Sequence, residues 1–328
     1  MTKALRAFAA AVCGLSLGGA AVPAAWAQAW PTAKPINMVV PFPPGPALDL
    51  VARLVGGKLS TAVGQTVVVD NRTGANGTIG SNVVARAAPD GYTLLAATSG
   101  THVTSVHLMK NLPYDPVKDF TPLMAAVEPA TCLVVNSSLP VNSVPELIAY
   151  AKANPGKLSY GSSGVGSVFH MMGELFNQTA GIKIAHVPYR GVAPAMQDVM
   201  GGHIPMVFIS VSNAMAGVRQ GSVKILAVLE PNRYAKLPKV PSMSETVPAF
   251  RKPSSWFGFF GPAKMPPEIV ARINAEMRKG INAPEVRAKL DASDFAIIDG
   301  TPEEFASLLK DGIERYGAII KAAGIQPQ

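Results

Sequence analysis

The chain has 328 residues, of which 48% are hydrophobic and 15% are charged, and its formal net charge is +8. This length predicts about two domains of ~150 residues each. The apolar content supports large cores and excludes a disordered chain. Basic residues are dispersed among acidic ones without interleaved aromatics, which argues against nucleic-acid binding.

The N-terminal segment predicts a secretory signal peptide over residues 1–27. Lys3 and Arg6 precede an uncharged apolar stretch, and Ala25 and Ala27 fit the small-residue cleavage rule. An uncleaved membrane anchor is the alternative, and it is disfavoured because two glycines and a proline interrupt a stretch of barely ~20 residues. We therefore predict export to the periplasm and cleavage near Ala27, leaving a soluble mature protein.

Cleavage would change both the charge and the cysteine content. Loss of Lys3 and Arg6 leaves 27 basic and 21 acidic residues, a net charge of +6 that mildly favours anionic ligands. Cys13 would also be removed, so Cys132 has no partner for an intramolecular disulfide. We predict that Cys132 is a small buried hydrophobic residue.

After residue 27, short β-branched runs alternate with helical patterns, which is typical of parallel sheets built from βαβ units. Capping boxes at Ser143 and Thr301 predict helix starts, and the final helix carries one apolar stripe. The predicted strands are residues 36–42, 66–70, 92–98, 132–136, 158–162, 184–187, 206–210 and 224–229.

Two segments, residues 123–136 and 255–262, are predicted to cross between domains. Two crossings make the first domain discontinuous. The prediction is therefore a first domain of residues 28–128 and 254–328 and a second of residues 129–253.

Four loops that follow predicted strands are candidate ligand sites, because ligands of open α/β sheets bind beyond the carboxyl ends of strands. The alternative for each is a plain connection. They are residues 41–49, where Asp49 can accept N–H bonds at a helix start, the Gly/Ser/Thr-rich residues 98–102 and 161–167, and residues 189–191, where Arg190 could bind a carboxylate.

Enzyme signatures are missing from the sequence. It lacks the dinucleotide-binding, phosphate-loop, nucleophile-elbow and zinc-protease motifs, and its five histidines show no metal-site spacing. His170 and Glu174 lie four residues apart on a helix, which favours a local hydrogen bond or a core histidine. We predict no catalytic residue, no metal and no cofactor, with a secreted Rossmann-like enzyme as a remote alternative.

Seven stretches between about residue 35 and residue 324 carry a recognisable pattern. They read VVPFPPG at 39–45, VDNRTGANGTIG at 69–80, APDGYTLL at 88–95, LPYDP at 112–116, HVPYRG at 186–191, PPEIV at 266–270 and TPEEF at 301–305. In these stretches the chain resembles the Bug family of extracytoplasmic receptors, the solute-binding components associated with tripartite tricarboxylate transporters.

The resemblance implies a type II periplasmic binding fold, in which two Rossmann-like α/β domains, joined by two crossing strands, enclose a ligand in a central cleft. It also implies that a carboxylate is held by backbone N–H groups, hydroxyls and bridging waters. The residues mapped in this way are Phe42, Pro44, Gly45, Ala47, Thr98, Thr101, Ser162, Ser163, Gly166, Ser167 and His170, to which we add Asp49, Arg190 and Ser210.

Three positions depart from the family pattern. Pro46 replaces a glycine and has no N–H to donate, Leu48 replaces a hydroxyl residue, and Ile209 stands where an aspartate is common. These changes predict a less polar pocket. We therefore expect a di- or aromatic carboxylate ligand rather than an amino acid.

The predicted function is that of a monomeric receptor whose cleft closes on a small carboxylate for delivery to a membrane transporter. The alternative is a receptor of the same fold that presents its ligand to a sensor kinase. A bulky residue at Gly45 is expected to abolish binding and to leave the fold intact.

Overall fold

The computed structural model describes residues 30–45 and 47–327, and these residues form two mixed β-sheets covered by helices. The predicted signal peptide, Cys13 and Pro46 lie outside the described residues. Among the described helices, none has both the length and the hydropathy of a membrane span.

Six strands form the first sheet: β1 (Ile36–Val40), β2 (Val67–Asn71), β3 (Thr93–Thr98), β4 (Phe120–Pro129), β10 (Phe257–Pro262) and β11 (Phe295–Ile297). Their spatial order is β11-β4-β10-β3-β1-β2. β1 pairs in parallel with β2 and β3, whereas β10 is antiparallel to β3 and β4, and β11 is antiparallel to β4.

The second sheet has five strands: β5 (Thr131–Asn136), β6 (Ser159–Ser162), β7 (Ala185–Pro188), β8 (Met206–Ser210) and β9 (Val223–Val228). Their order is β7-β6-β8-β5-β9, and β5 is antiparallel to both neighbours. All eight predicted strands are present. Parallel pairing is correct for β1 with β2 and β3 and for β6 with β7 and β8, but it is wrong for the pairs formed by β5 and β10. Each of these two strands arrives from the other lobe and enters its sheet in the opposite direction.

Eleven α-helices of the described residues pack on the sheets: α1 (Ala47–Val63), α2 (Thr78–Ala85), α3 (Ser105–Leu108), α4 (Val144–Ala153), α5 (Val168–Ala180), α6 (Val192–Met200), α7 (Val211–Arg219), α8 (Met243–Thr246), α9 (Pro267–Ile281), α10 (Pro284–Ala292) and α11 (Pro302–Ala322). Helices α1, α9 and α10 cover one face of the first sheet, and α2 and α11 cover the other. Helices α6 and α7 and helices α4 and α5 cover the two faces of the second sheet. We call each sheet with its helices a lobe.

Two predicted local features have mixed outcomes. The capping box at Thr301 is confirmed, because Thr301 and Glu304 cap each other's backbone N–H groups. At Ser143 the side chain accepts the Glu146 N–H, but the Glu146 carboxylate accepts the Asn142 N–H, so the predicted box does not close. Cys132 is buried in the core as predicted, and burial raises the pKa of its thiol.

The first crossing lies where it was predicted, because β4 continues through Ala130 directly into β5 of the other sheet. The second crossing differs from its prediction. β10 lies within the first sheet, and the chain returns through the irregular residues 251–256 that precede it. We keep the sequence-based proposal for the domain limits. The first domain comprises residues 28–128 and 254–328, and the second comprises residues 129–253.

The two lobes also share apolar packing away from the crossings. One continuous core includes Phe305 and Tyr316 of α11 together with Met171 and Phe176 of α5. Gln178 of α5 donates a hydrogen bond to the carbonyl oxygen of Ile319 at 3.1 Å. The final helix therefore packs on both lobes.

The docking of α11 generates a stability prediction. The Phe305 ring is fully buried, and its centroid lies 4.7 Å from that of Trp256 and 4.6 Å from that of Phe260. We expect Phe305→Ala to lower the free energy of unfolding by about 3–5 kcal/mol, because it removes buried surface and leaves a cavity.

Urea denaturation followed by circular dichroism measures this loss. The control is Ile79→Ala, whose side chain is 53% exposed and should cost far less. Equal losses in the two variants would contradict the described packing of α11.

Candidate functional site

A cavity of about 840 Å³ lies between the two sheets. It is lined by loops that follow β1, β2 and β3 in the first lobe and β6 and β7 in the second, so it lies at the carboxyl ends of parallel strands. Its lining includes Phe42, Ala75, Asn76, Thr98, Ser99 and Gly100 from the first lobe, Ser163 to Phe169 and Tyr189 to Gly191 from the second, and Pro129, Thr131, Ser255 and Phe257 near the crossings.

Two helices of the second lobe begin at this cavity. Ser167 is the N-cap of α5, and Ser167, Val168 and Phe169 line the wall. Gly191 is the N-cap of α6 and also lines it. The first N–H groups of a helix have no partner within the helix and carry partial positive charge, so these ends favour an anion.

The first lobe contributes a similar feature. A π-helical turn, Gly100–Thr104, follows β3, and Ser99 and Gly100 line the cavity at its start. A 3-10 turn, Ala75–Gly77, follows β2 and precedes α2. The first lobe therefore brings the start of one helical segment, at Ser99 and Gly100, to the cavity that α5 and α6 of the second lobe also border.

Among the described residues that line the cavity, Arg190 alone has a charged side chain. It is exposed and makes no ion pair with the part of the chain that the structure describes. Within that part, no three His, Cys, Asp or Glu residues are grouped so that they could hold a metal ion. The groups along the described lining that attract a negative charge are therefore backbone dipoles and one guanidinium group.

The rest of the wall is largely apolar. Leu108, Met109 and Phe257 line it beside the first lobe, and Val165 and Phe169 line it beside the second. Aromatic and aliphatic side chains of this kind suit the hydrocarbon body of a ligand, while a few polar groups fix its orientation. The cavity thus combines an anion-favouring rim with an apolar wall.

A buried carboxylate holds the first loop in place. Asp49 is 4% exposed, and it accepts hydrogen bonds from the Gly45 N–H at 3.0 Å, from Arg53 Nε at 2.8 Å and from Asn71 Nδ2 at 2.9 Å. Burial alone would raise the pKa of Asp49, but the hydrogen bonds from Arg53, Asn71 and Gly45 lower it overall. Asn71 also donates to the Phe42 carbonyl at 3.0 Å, which positions Phe42 at the cavity.

Two stacked histidines support the loop of the second lobe. The His170 and His186 rings have centroids 3.7 Å apart and an interplanar angle of 10°. His170 Nδ1 accepts the Gly166 N–H at 3.1 Å, and His186 Nε2 lies 2.6 Å from Ser162 Oγ. Ser167 Oγ accepts the His170 N–H as a helix cap. These contacts set the path of residues 162–167, whose outer face lines the cavity.

The predicted site residues fall into two groups. Six line the cavity: Phe42, Thr98, Ser163, Gly166, Ser167 and Arg190. The other eight do not line it: Pro44, Gly45, Ala47, Asp49, Thr101, Ser162, His170 and Ser210.

Several of the eight are committed to hydrogen bonds behind the wall. Thr101 Oγ1 donates to the Thr98 carbonyl at 2.9 Å, and Ser210 Oγ accepts from Asn213. The Gly45 amide is likewise occupied by Asp49. Their part in ligand binding stays a prediction, and the contacts assign them a role in shaping the loops.

Two of the three family departures also lie away from the cavity. Leu48 packs in the core beneath the first sheet, and Ile209 is fully buried on the face of the second sheet that contacts α6 and α7. The apolar wall therefore does not come from these substitutions. It comes from Leu108, Met109 and Phe257, which the sequence-based prediction did not include.

Sequence reasoning also missed Ala75, Asn76, Thr131, Ser255 and Gln326 as lining residues. A signal existed for the first two. Ala75 and Asn76 adopt left-handed φ angles of 45° and 53°, and the Asn76-Gly77 dipeptide is a known turn signal directly before a helix. Thr131 and Ser255 are distant in sequence and meet only through the two crossings.

The sequence places the chain in a known family. Residues 51–325 match the family described as TctC, tripartite tricarboxylate transporter family receptor. The chain belongs to this family, and within it to the Bug type of receptor. It is 32% identical to Protein BugT of Bordetella pertussis over 96% of this chain and 97% of the relative. It is 38% identical to the UPF0065 protein in the tcbD-tcbE intergenic region of Pseudomonas sp. strain P51, over 88% of this chain and 85% of the relative.

Solved structures of this type superpose on the receptor. R. palustris Rpa4515 with adipate is 34% identical, and it covers 91% of this chain and all of the other with a TM-score of 0.80. MatC from Rhodopseudomonas palustris with bound malate is 30% identical, and it covers 88% of this chain and 99% of the other with a TM-score of 0.75. The two-lobed periplasmic binding fold is thereby confirmed. The family and its structural neighbours are solute-binding receptors and not enzymes.

The stacked histidine pair predicts a dependence of stability on pH. Burial lowers the pKa of His170 to about 3, with a further contribution from His186, and burial lowers the pKa of His186 to about 4. Between pH 6.5 and about pH 4 the unfolded chain therefore binds protons that the folded receptor does not. The free energy of unfolding should fall as pH decreases through this interval.

Denaturation curves at a series of pH values measure this slope. Burial also lowers the pKa of His102 to about 3, so three rings contribute to the slope. His186→Gln should make it shallower, because it removes one of these three rings that must stay neutral. The matched control is His203→Gln, at an exposed ring outside this loop. A slope that is unchanged in His186→Gln would contradict the assignment.

Proposed function

We propose that this receptor works in the periplasm, where it captures a small carboxylate between its lobes and delivers it to a tripartite tricarboxylate-type membrane transporter. One observation carries the proposal: helix starts from both lobes and Arg190 line a single cavity, and no carboxylate is among the lining residues that the structure describes. Such a cavity stabilises a negative charge without supplying a group for covalent chemistry.

The proposed ligand is a dicarboxylate or an aromatic carboxylate. The apolar wall of Leu108, Met109 and Phe257 can cover a hydrocarbon body, and the hydroxyls of Thr98, Ser99 and Ser163 add polar contacts beside the helix starts. The adipate and malate of the two R. palustris structures are small dicarboxylates, which supports this class.

Capture is proposed to proceed by closure of the cleft. Loops of both lobes line the same volume, so a ligand that contacts both sides binds the closed form better than the open form. Only this difference in affinity can drive closure. The crossing segments near Ala130 and residues 251–256 are the proposed hinge.

Calorimetric titration of the purified mature protein tests the ligand class. Adipate, malate and benzoate represent di- and aromatic carboxylates, and aspartate and glutamate represent amino acids. We expect saturable binding within the first group and weak or no binding in the second. Tight binding of aspartate or glutamate would contradict the proposal, and mass spectrometry of co-purifying molecules gives an independent identification.

Arg190 provides a test at a single residue. We expect Arg190→Gln to weaken binding of the carboxylate by about tenfold or more, because hydrogen bonds to charged groups contribute about 1.5–3 kcal/mol. Arg190→Lys should lose less, since it keeps the charge but not the planar two-pronged donor. Titration at two salt concentrations should also show weaker salt dependence in Arg190→Gln.

The control for this series is Arg219→Gln, at an exposed arginine near the end of α7 in the same lobe. It removes the same charge outside the cavity lining. Equal effects of the two glutamine substitutions would assign the loss to net charge and not to the site.

A further inference from the structure

Three charged side chains meet where the chain passes between the lobes. Lys252, in the returning segment, has a side chain that is 3% exposed, and its Nζ lies 2.7 Å from Glu128 Oε1 and 2.7 Å from Glu230 Oε2. Glu128 is at the end of β4, and Glu230 follows β9. We call these three residues the hinge triad.

The hinge triad contains two acids and one base. Burial alone would lower the pKa of Lys252, but Glu230 and Glu128 raise it overall. Burial would likewise raise the pKa of Glu128, but Lys252 and the hydrogen bonds from Ser255 and Ser254 lower it overall. A charged lysine between two carboxylates gives the hinge triad one net negative charge, and partial burial strengthens the field of that charge.

The same carboxylates fix the direction of two cavity-lining hydroxyls. Glu230 Oε1 accepts the Thr131 N–H at 2.7 Å and the Thr131 hydroxyl at 2.9 Å. Glu128 Oε1 accepts the Ser255 N–H at 2.8 Å and the Ser255 hydroxyl at 3.1 Å. An ionised carboxylate can only accept, so each hydroxyl donates its single proton away from the cavity.

Pro129 completes this part of the lining, and proline has no N–H. We call Pro129, Thr131 and Ser255 the hinge wall. Its N–H and O–H donors are either missing or committed to Glu128 and Glu230. Thr131 is fully buried and Ser255 is 3% exposed, so the wall offers a ligand no free donor and separates it from the net negative charge of the triad. The starts of α5 and α6, by contrast, offer N–H donors and partial positive charge to the cavity.

We propose that the hinge wall determines ligand specificity: the negative charge of the hinge triad behind it disfavours a ligand carboxylate there and favours an uncharged end of the ligand. This assignment rests on the proposed function, because it concerns the orientation of a carboxylate ligand in the same cavity. It predicts that a ligand carboxylate binds toward Arg190 and the helix starts. A second carboxylate is tolerated only where it points away from the hinge.

A purely structural role for the hinge triad makes a different prediction. If the triad only ties three chain segments together, its substitution would change the affinity for all ligands by a common factor. If it sets specificity, its charge would change the ratio between matched ligands. The measured quantity is therefore the Kd of adipate divided by the Kd of 6-hydroxyhexanoate, which has the same chain length and one carboxylate replaced by a hydroxymethyl group.

Titrations use the mature receptor and four variants. Glu230→Gln removes one negative charge and should lower the ratio by about three- to tenfold. Lys252→Met removes the positive charge and should raise it. The double variant Glu230→Gln/Lys252→Met restores the net charge and should return the ratio toward that of the wild type. Glu314→Gln, at an exposed position of α11, is the control and should leave the ratio unchanged.

Opposite shifts in the two single variants would support the assignment. A ratio that stays constant across the series, with both ligands still bound, would overturn the assignment alone. If the wild type binds neither ligand but binds malate or benzoate, the assignment is overturned and the proposed function stands; binding of no carboxylate would overturn both. Circular dichroism checks folding, and if Lys252→Met does not fold, the ratio in Glu230→Gln decides.

Discussion

In the proposed function, unpaired backbone amides at the starts of helical segments determine where a negative charge is held between the two sheets. Such amides are useful only if they keep their direction, because a loop that rearranges would satisfy them internally. Asp49 fixes the loop before α1, and the stacked rings of His170 and His186 fix the loop before α5. The polar groups with the most defined geometry therefore lie one layer behind the cavity.

This arrangement separates the groups that contact a ligand from those that hold the contacts in position. Side chains with strong hydrogen-bonding capacity, such as Asp49, are satisfied inside the protein, so the cavity itself keeps few charged groups. A binding site of this kind can change its ligand by exchanging wall residues such as Met109 or Phe169 without disturbing the loops. The anion-favouring backbone remains the same while the apolar wall varies.

Much of the fold could be predicted from the sequence because strand periodicity and helix caps are local signals. All eight predicted strands are present, and the final helix begins at its Thr301 cap. The missed strand β11 has three residues, too few for an alternating pattern. The antiparallel pairing of β5 was also beyond the local sequence, because it depends on the direction from which the chain enters the second sheet.

The site could be predicted less completely than the fold. The loops at strand ends were identified correctly as segments, but the sequence does not show which face of a loop borders the cavity. Ser162 and Ser163 are adjacent, and only Ser163 lines the wall. Thr131 and Ser255 were missed for a further reason: they are separated by more than a hundred residues and meet only because the chain crosses between the lobes twice.

The position of α11 has a consequence for how the chain acquires its structure. Its apolar face completes the core of the first sheet and also packs on α5, so one helix supplies contacts that both lobes lack until it docks. Neither lobe can bury its full complement of apolar surface before this docking step. A folding intermediate without it would expose apolar surface on both lobes at once, so docking of α11 couples the folding of one lobe to that of the other.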